Sequence, residues 1–330
     1  MTADHCTGST HLSAPQFVAE SAAFRRTLDE ARRFARSGSA PILIEGESGT
    51  GKTYLARHIH LLSPRAASAF RSVVLSTLDD ALSSSDLFGH VAGAFTDARR
   101  ARVGHFVASR GGTLFLDEIG KASRCLQGKL LHAVEYNEVT PVGSDVAARV
   151  DVRVLAATNI PLSVLTGRGE FLPDLTARFG FFRLRVPPLR ERRQDIPGLI
   201  HQSLTRWSQQ FGYSVPPTIN PELVEVLAAA EWLTNLRGLD SAVQYILANA
   251  DGSSELTLDH CGNGLDDVLG PAIRKRQRRE PQEMASLVRA TGSISAAARE
   301  LGVPRSTVQR RIRKASTKPL GSATDVEMLE

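Results

Sequence analysis

The sequence predicts an α/β fold with a parallel sheet, followed by a helical subdomain and a small all-α unit. From Pro15 to about Asn249, short apolar runs alternate with amphipathic segments, as strands and helices alternate around a parallel sheet. Four of the runs are apolar almost throughout, which is typical of strands covered on both faces. These runs are Ile42–Glu45, Val73–Leu75, Thr113–Glu118 and Val152–Thr158.

No strand is predicted after Pro197, where apolar residues recur at helical spacing. Helices are expected over Leu199–Phe211, Pro221–Ala230 and Leu239–Ala250, and together they predict a helical subdomain. Residues 251–280 are rich in Asp, Gly and Ser and then in Arg. Because they lack a sustained apolar period, they are expected to form a linker.

The composition is that of a folded chain of about two domains. Its 330 residues are 42% hydrophobic and 23% charged, which excludes a collagen, a coiled coil and a largely disordered protein. No apolar stretch approaches the roughly 18 residues that span a bilayer, and the N-terminus lacks the pattern of a signal peptide. A cytoplasmic protein without a membrane partner is therefore expected. Three cysteines far apart in sequence predict neither disulfides nor structural zinc.

Positive charge is concentrated near the C-terminus. The net charge is +5, yet residues 271–318 carry 13 basic and 3 acidic side chains, so this segment has +10 and the remainder −5. This asymmetry favours a nucleic-acid-binding end on a nearly neutral body, with a solvated basic tail as the alternative.

The first strand runs directly into GESGTGKT, a complete P-loop followed by a segment with helical spacing. In such a loop the glycines let backbone N–H groups surround phosphate oxygens, and the next helix directs its positive end at them. The lysine adds a cation and the last hydroxyl can bind Mg²⁺. The residues predicted to bind nucleotide here are Gly46, Glu47, Ser48, Gly49, Thr50, Gly51, Lys52 and Thr53.

Polar residues end two later strands. Asp117 and Glu118 follow the run TLFL, where an Asp could hold a Mg²⁺-bound water and a Glu could polarise the attacking water. Asn159 follows Thr158 at the end of the next strand and could sense the γ-phosphate, or it could be an ordinary polar strand end.

Several further motifs resemble one family, the AAA+ domains of bacterial enhancer-binding proteins, which activate sigma-54 RNA polymerase. The matching pieces, in the family's order, span roughly residues 17 to 250. Besides the P-loop they are DLFGHVAGAFTDA, GGTLFLDEIG, LLHAVEYNEVTPVGS, VDVRVLAATN, VPPLRERRQDI and EWLTNLRGL. The resemblance implies an AAA+ P-loop NTPase with a helical lid. It also implies a ring, expected to be hexameric, with ATP between subunits and surface loops that remodel the closed promoter complex.

The resemblance also implies roles for individual residues. Lys52 and Thr53 would bind phosphate and Mg²⁺, Asp117 and Glu118 would serve hydrolysis with Asp117 at the metal, and Asn159 would be the first sensor.

Two arginines and one loop complete the implied site. Arg178 in DLTARF would be the arginine finger that acts on a neighbour's ATP, and Arg237 in NLRGL would be the second sensor in the lid. The loop that touches the sigma factor would be Gly93, Ala94, Phe95, Thr96, Asp97 and Ala98.

This chain departs from the family's pattern at several positions. Asp97 replaces the second glycine of GAFTGA and adds a negative charge to the loop. Counting back without gaps from LFGH, the family's Asn that bonds the catalytic Glu falls on Val74, which cannot form a side-chain hydrogen bond. Leu172 replaces one of two candidate finger arginines, and Gly238 stands where Glu is usual. These departures lie in coupling elements rather than in the P-loop.

The stretch from Ser293 to Lys314 is expected to be a helix-turn-helix, and it resembles the Fis-type unit that ends many enhancer-binding proteins. A basic helical hairpin that packs on the ring is the alternative. One unit reads a half-site, so specific binding to upstream double-stranded DNA would require a dimer or larger assembly. The predicted DNA-binding residues are Arg305, Ser306, Thr307, Gln309, Arg310, Arg313 and Lys314.

The predicted organisation has an N-terminal extension at 1–16, an ATPase subdomain at 17–195 and a helical lid at 196–250. A basic linker at 251–280, a DNA-binding domain at 281–318 and a tail at 319–330 follow. The short extension leaves no room for a receiver domain, so a regulatory protein acting in trans is one expected source of the signal. The function expected is ATP-driven activation of sigma-54 polymerase, and the alternative is a DNA-binding regulator whose ring is only an ATP-responsive oligomerisation switch.

Overall fold

The computed structural model describes residues 16–75, 80–95, 98–272, 288 and 293–295. The chain divides into two compact units, residues 1–205 with 232–243, and residues 206–231 with 244–330. The helices are α1 (Ala22–Ala35), α2 (Lys52–Leu61), α3 (Asp80–Phe88), α4 (His105–Ala108), α5 (Arg124–Tyr136), α6 (Leu162–Gly167), α7 (Pro173–Arg178), α8 (Ile196–Gln210), α9 (Pro221–Ala229) and α10 (Asn235–Asn249). The strands are β1 (Ile42–Glu45), β2 (Phe70–Val74), β3 (Gly89–His90), β4 (Arg102–Val103), β5 (Thr113–Asp117), β6 (Glu138–Val139), β7 (Ala148–Arg149), β8 (Arg153–Thr158), β9 (Arg183–Arg185), β10 (Thr218–Ile219) and β11 (Glu255–Leu256).

The first unit is built on a five-stranded parallel sheet in the order β2-β5-β8-β1-β9. All four predicted strands are confirmed as members of this sheet, although β2 begins earlier than predicted, at Phe70, and β5 ends at Asp117. The edge strand β9 was not predicted. Its sequence, RLR, contains a single apolar residue, Leu184, which is also its only fully buried residue. A strand with one buried position gives no apolar run in the sequence.

Apolar side chains cover both faces of the sheet, as the continuous apolar runs predicted. Successive residues of β1 and β5 belong to different core clusters, since side chains alternate along a strand. Leu43 and Leu114 pack on the face covered by α5, whereas Ile44 and Phe115 pack on the face covered by α1 and α2. The sheet is thus a rigid centre that fixes where its strands end.

The second unit contains α9 and short parallel strands, β10 and β11, which pair Thr218 with Glu255. The prediction that strands stop after Pro197 is therefore wrong. These strands are only two residues long, too short to give a periodic signal.

The segment expected to be a linker from residue 251 is folded as far as the description extends. After β11 come two 3₁₀ turns, Leu258–Cys261 and Asn263–Leu265, and a helical stretch from 266 to 272. Leu256 and Leu269 are buried there. Within the described residues, no helix is long and apolar enough to cross a membrane.

Candidate active site

The predicted nucleotide-binding residues meet at the carboxyl ends of neighbouring strands. Glu45 at the end of β1 pairs with Thr158 at the end of β8, and β8 lies beside β5, which ends at Asp117. Because the strands are parallel, the P-loop after β1, Asp117 and Asn159 lie along one edge of the sheet. Asn159 is exposed at that edge.

The P-loop has the backbone shape that its glycines predict. Gly49 and Gly51 have φ angles of 76° and 101°, in the left-handed region that favours glycine. A Cβ atom on Gly49 would also lie 2.1 Å from the carbonyl oxygen of Thr234, so no larger residue fits. Helix α2 begins at Lys52, and its first N–H groups therefore face the loop.

The ammonium group of Lys52 lies inside the loop. Its Nζ atom donates hydrogen bonds to the carbonyl oxygens of Gly46, at 2.7 Å, and Glu47, at 3.0 Å. Burial lowers the pKa of Lys52, while the charges of Asp117 and Glu118 raise it. An ammonium group held inside the loop at the start of a helix is suited to the phosphates of a nucleotide.

Asp117 and Thr53 bring two oxygen ligands together at the end of the loop. The Thr53 hydroxyl donates a hydrogen bond of 3.2 Å to Oδ2 of Asp117, and Oδ1 of Asp117 accepts one of 3.0 Å from the Glu118 amide. A hydroxyl and a carboxylate beside phosphate are ligands that Mg²⁺ prefers. The predicted metal ligands are therefore adjacent.

The side chain of Glu47 anchors the loop. Arg190 donates two hydrogen bonds to its carboxylate, at 2.8 and 2.6 Å, and these bonds lower the pKa of Glu47. The carboxylate is thus already paired with a cation of the protein. Only the backbone of Glu47 is therefore expected to contact a nucleotide.

Asn235 is a site residue that the sequence reasoning missed. It is fully buried with a φ of 54°, its Oδ1 accepts from the Leu189 amide at 2.7 Å, and its Nδ2 donates to the Ser48 carbonyl at 2.9 Å. The next residue, Leu236, donates its amide to the Gly49 carbonyl at 2.9 Å. Asn is among the non-glycine residues best suited to a left-handed conformation. An Asn directly before the helical segment of the lid could therefore have indicated a turn with a positive φ at this position.

The start of α10 also explains one departure from the family's pattern. A Cβ atom on Gly238 would lie 2.5 Å from Oγ1 of Thr234 and 3.4 Å from the ring of Trp232. The Thr234 side chain therefore occupies space that a larger residue at 238 would need. Arg237 is exposed, and a Cβ atom on Gly49 would lie 3.3 Å from the Cβ atom of Arg237, so this arginine is close to the P-loop. Its role as second sensor stays a prediction.

Glu118 has a left-handed backbone, with a φ of 57°, and begins the 3₁₀ turn Ile119–Lys121. Its carboxylate forms an ion pair with Lys121. Val74 lies beside Asp117 in the register of β2 and β5, and its side chain is 58% exposed. The position predicted to replace the family's Asn is therefore next to the acidic pair.

The predicted arginine finger, Arg178, is the last residue of α7. Its guanidinium forms an ion pair with Glu135 on α5. Leu172, at the position of the second candidate arginine, packs against the core and donates its amide to Oε1 of Gln127 at 2.8 Å. The role of Arg178 as the arginine finger stays a prediction.

The predicted sigma-factor loop is folded at its base. Gly93 donates its amide to the Ala98 carbonyl at 2.8 Å, and the ring of Phe95 packs edge-on against His90 at 5.0 Å. Thr96 and Asp97 lie outside the described residues, as do all the predicted DNA-binding residues from 305 to 314.

Comparison with known families gives three successive matches along the chain. The family described as Sigma-54 interaction domain matches residues 17–186, and the AAA+ ATPase lid domain matches residues 190–270. The family described as Bacterial regulatory protein, Fis family, matches residues 284–314.

Individual proteins are similar over most of this chain. The transcriptional regulatory protein ZraR of Klebsiella oxytoca is 36% identical, over 92% of this chain and 70% of ZraR. The Nif-specific regulatory protein of Klebsiella oxytoca is 36% identical, over 93% of this chain and 60% of that protein. The crystal structure of NtrX from Brucella abortus in complex with ATP is 29% identical with a TM-score of 0.68, over 92% of this chain and 70% of NtrX.

Proposed function

This chain belongs to the sigma-54 interaction domain family, and from that premise we propose that it hydrolyses ATP to remodel closed complexes of sigma-54 RNA polymerase. It has the parts of a sigma-54-dependent transcriptional activator: an ATP-binding AAA+ domain, its lid and a Fis-type helix-turn-helix. In the proposed cycle, subunits form a ring, a hexamer built from dimers, while the C-terminal units hold upstream promoter DNA.

The observation that carries the proposal is the P-loop with Lys52 inside it and the Thr53–Asp117 contact beside it. In the proposed complex, the Lys52 ammonium exchanges two carbonyl oxygens for phosphate oxygens, and the N–H groups at the start of α2 bind the remaining charge. Thr53 and Asp117 would hold Mg²⁺, which when bound neutralises charge on the phosphates. NtrX, a similar protein, has been crystallised with ATP.

Hydrolysis is assigned to Glu118 and Arg178. Glu118 follows Asp117 and lies close enough to Lys52 to affect its pKa, so its carboxylate can accept a proton from water near the γ-phosphate. Arg178 contacts Glu135 rather than the P-loop, which fits a residue that acts on a neighbour's nucleotide. Asn159 and Arg237 would report the state of the γ-phosphate.

Output is assigned to the loop of residues 93–98, with Phe95 and Thr96 as its contact with the sigma factor. The residues from 305 to 314 would bind upstream DNA, where Arg and Gln side chains can reach base edges in the major groove.

The test is purified full-length protein assayed for Mg²⁺-dependent ATPase activity and for open-complex formation by sigma-54 polymerase. ATPase activity per subunit should rise with protein concentration, because the finger comes from a neighbour. Lys52→Ala should abolish ATP binding, whereas Glu118→Gln should keep binding and lower kcat by about 100-fold or more. Turnover unaffected by Lys52→Ala, or open complexes formed without ATP, would contradict the proposal.

A second candidate function is a DNA-binding regulator whose ring serves only as an ATP-responsive oligomerisation switch. It is favoured by Val74, whose exposed side chain offers Glu118 no hydrogen bond, and by the charge of Asp97. Regulation that persists in cells lacking sigma-54 would favour this candidate. Stronger activation by Asp97→Gly in cells with sigma-54 would favour the first.

A further inference from the structure

The carboxylate assigned as general base already has a partner within its own subunit. Oε2 of Glu118 forms an ion pair with Nζ of Lys121, three residues along the chain. The Lys121 side chain is 45% exposed and that of Glu118 is 32% exposed, so the pair lies at the surface of the site rather than in the core.

Local backbone geometry brings these two side chains together. Glu118 adopts a left-handed conformation, and the Lys121 amide donates a hydrogen bond of 2.9 Å to the Glu118 carbonyl. This tight turn folds residue 121 back over residue 118. The backbone of the turn, rather than a chance approach of two long side chains, therefore defines the pair.

The end of strand β2 offers Glu118 no hydrogen bond. Val74 is the last residue of β2 and lies beside Asp117, but its side chain can neither donate nor accept a hydrogen bond. A general base must accept a hydrogen bond from water, and an oxygen that binds an ammonium competes poorly for that water. The ion pair with Lys121 would therefore make the Glu118 carboxylate a poorer general base.

We infer that Lys121 is a positioning residue that restrains Glu118, so that an isolated subunit hydrolyses ATP slowly until assembly draws the carboxylate towards water. This inference rests on the proposed ATPase function. An ion pair exposed to this degree is weak, which suits a restraint that must be released in every cycle.

The test is steady-state ATPase kinetics on the full chain with Lys121→Met and Lys121→Arg. Lys121→Met should raise kcat about fivefold at low protein concentration, the most that an exposed ion pair provides, with KM for ATP unchanged. Lys121→Arg should restore the slow rate, because it keeps the charge and the reach. The matched control is Arg32→Met, which removes the cation of an exposed pair with Asp29, also three residues apart, on α1.

A double variant separates restraint from a general structural effect. Glu118→Gln with Lys121→Met should be no faster than Glu118→Gln alone, because Lys121 acts through that carboxylate. An unchanged or lowered kcat in Lys121→Met, beside a wild-type chain that hydrolyses ATP, would overturn the restraint alone. If every variant binds ATP and none hydrolyses it, the proposed ATPase function fails and the restraint fails with it.

Discussion

The residues assigned to binding and those assigned to hydrolysis are held in opposite ways. The binding group, Lys52, Thr53 and Asp117, is bonded within the site itself. The hydrolysis pair, Glu118 and Arg178, is bonded to residues outside the binding group, Lys121 and Glu135. Under the proposed function, nucleotide could bind without breaking these ion pairs, whereas hydrolysis would require Glu118 and Arg178 to leave them.

The difference lies in the kind of contact. In the binding group, the buried Lys52 side chain bonds to two part-buried backbone carbonyl groups, which are expensive to leave without hydrogen bonds, while Thr53 and Asp117 meet through an exposed side-chain bond. The hydrolysis pair depends on ion pairs open to solvent, which contribute about 0 to 1 kcal/mol and change partners readily. The ion pairs of Glu118 and Arg178 can therefore rearrange without disturbing the bonds of Lys52.

The largest effect is expected from Asn235→Ala, which removes side-chain hydrogen bonds that hold the P-loop beside the binding group. It removes the buried bonds to Leu189 and Ser48 and places Ala at a positive φ, so the free energy of unfolding should fall by about 3 kcal/mol. ATP affinity should fall about tenfold or more, since the P-loop loses its anchor. Denaturant unfolding and nucleotide titration measure both effects.

Asn235→Gly keeps the backbone conformation and loses only the side-chain bonds, so it should cost less stability than Ala. Asn249→Ala is the control, because its side-chain bond to His260 is solvent-exposed. If ATP binds Asn235→Ala as tightly as wild type, Asn235 does not hold the binding site.

A smaller effect on stability is expected from Gly238→Ala, and its sign should differ between the wild-type and the Thr234→Ala backgrounds. The new Cβ would meet Thr234 Oγ1 at 2.5 Å, so unfolding free energy should fall by about 1 kcal/mol in the wild-type background. In a Thr234→Ala background the clash is removed, and replacing a helical glycine should stabilise the protein by about 1 kcal/mol. Thermal unfolding of the wild type, the two single variants and the double variant measures the coupling between positions 234 and 238. Equal effects of Gly238→Ala in both backgrounds would show that the two positions are independent.

The smallest effect is expected from Glu135→Gln, which releases Arg178. The protein concentration at half-maximal ATPase activity should fall about two- to threefold, because the finger no longer leaves an ion pair to reach a neighbour. Glu138→Gln is the control, since Glu138 pairs with Arg149 instead. A higher half-maximal concentration in Glu135→Gln would mean that Glu135 supports the finger rather than restraining it.

The sequence predicts that Lys52, Thr53 and Asp117 lie close together because these residues belong to continuous motifs. The P-loop follows one apolar strand and Asp117 ends another, so the sequence around each motif also predicts the strand that positions it. Parallel strands in one sheet have their carboxyl ends at the same edge, which brings the two motifs together. The register that places Val74 beside Asp117 agrees with the ungapped count from LFGH.

The partners of the hydrolysis pair were not predicted, for a physical reason. Glu135 and Arg178 lie 43 positions apart and meet only because α5 and α7 pack together. Lys121 is near Glu118 in sequence, but the pair needs a positive φ at a glutamate, which propensity does not favour. Strand β9 was missed because arginines flank its one buried leucine.

The bases of two surface loops are joined by hydrogen bonds. The Val91 amide donates to the Val142 carbonyl at 3.1 Å, and the Val142 amide donates to the Gly89 carbonyl at 2.8 Å. A Cβ on Gly143 would lie 2.8 Å from that of Ala94, so the two chains touch without space between them. We therefore expect a displacement of residues 140–147, between β6 and β7, to move residues 91–95 directly, because the two segments are in contact and hydrogen-bonded at their bases.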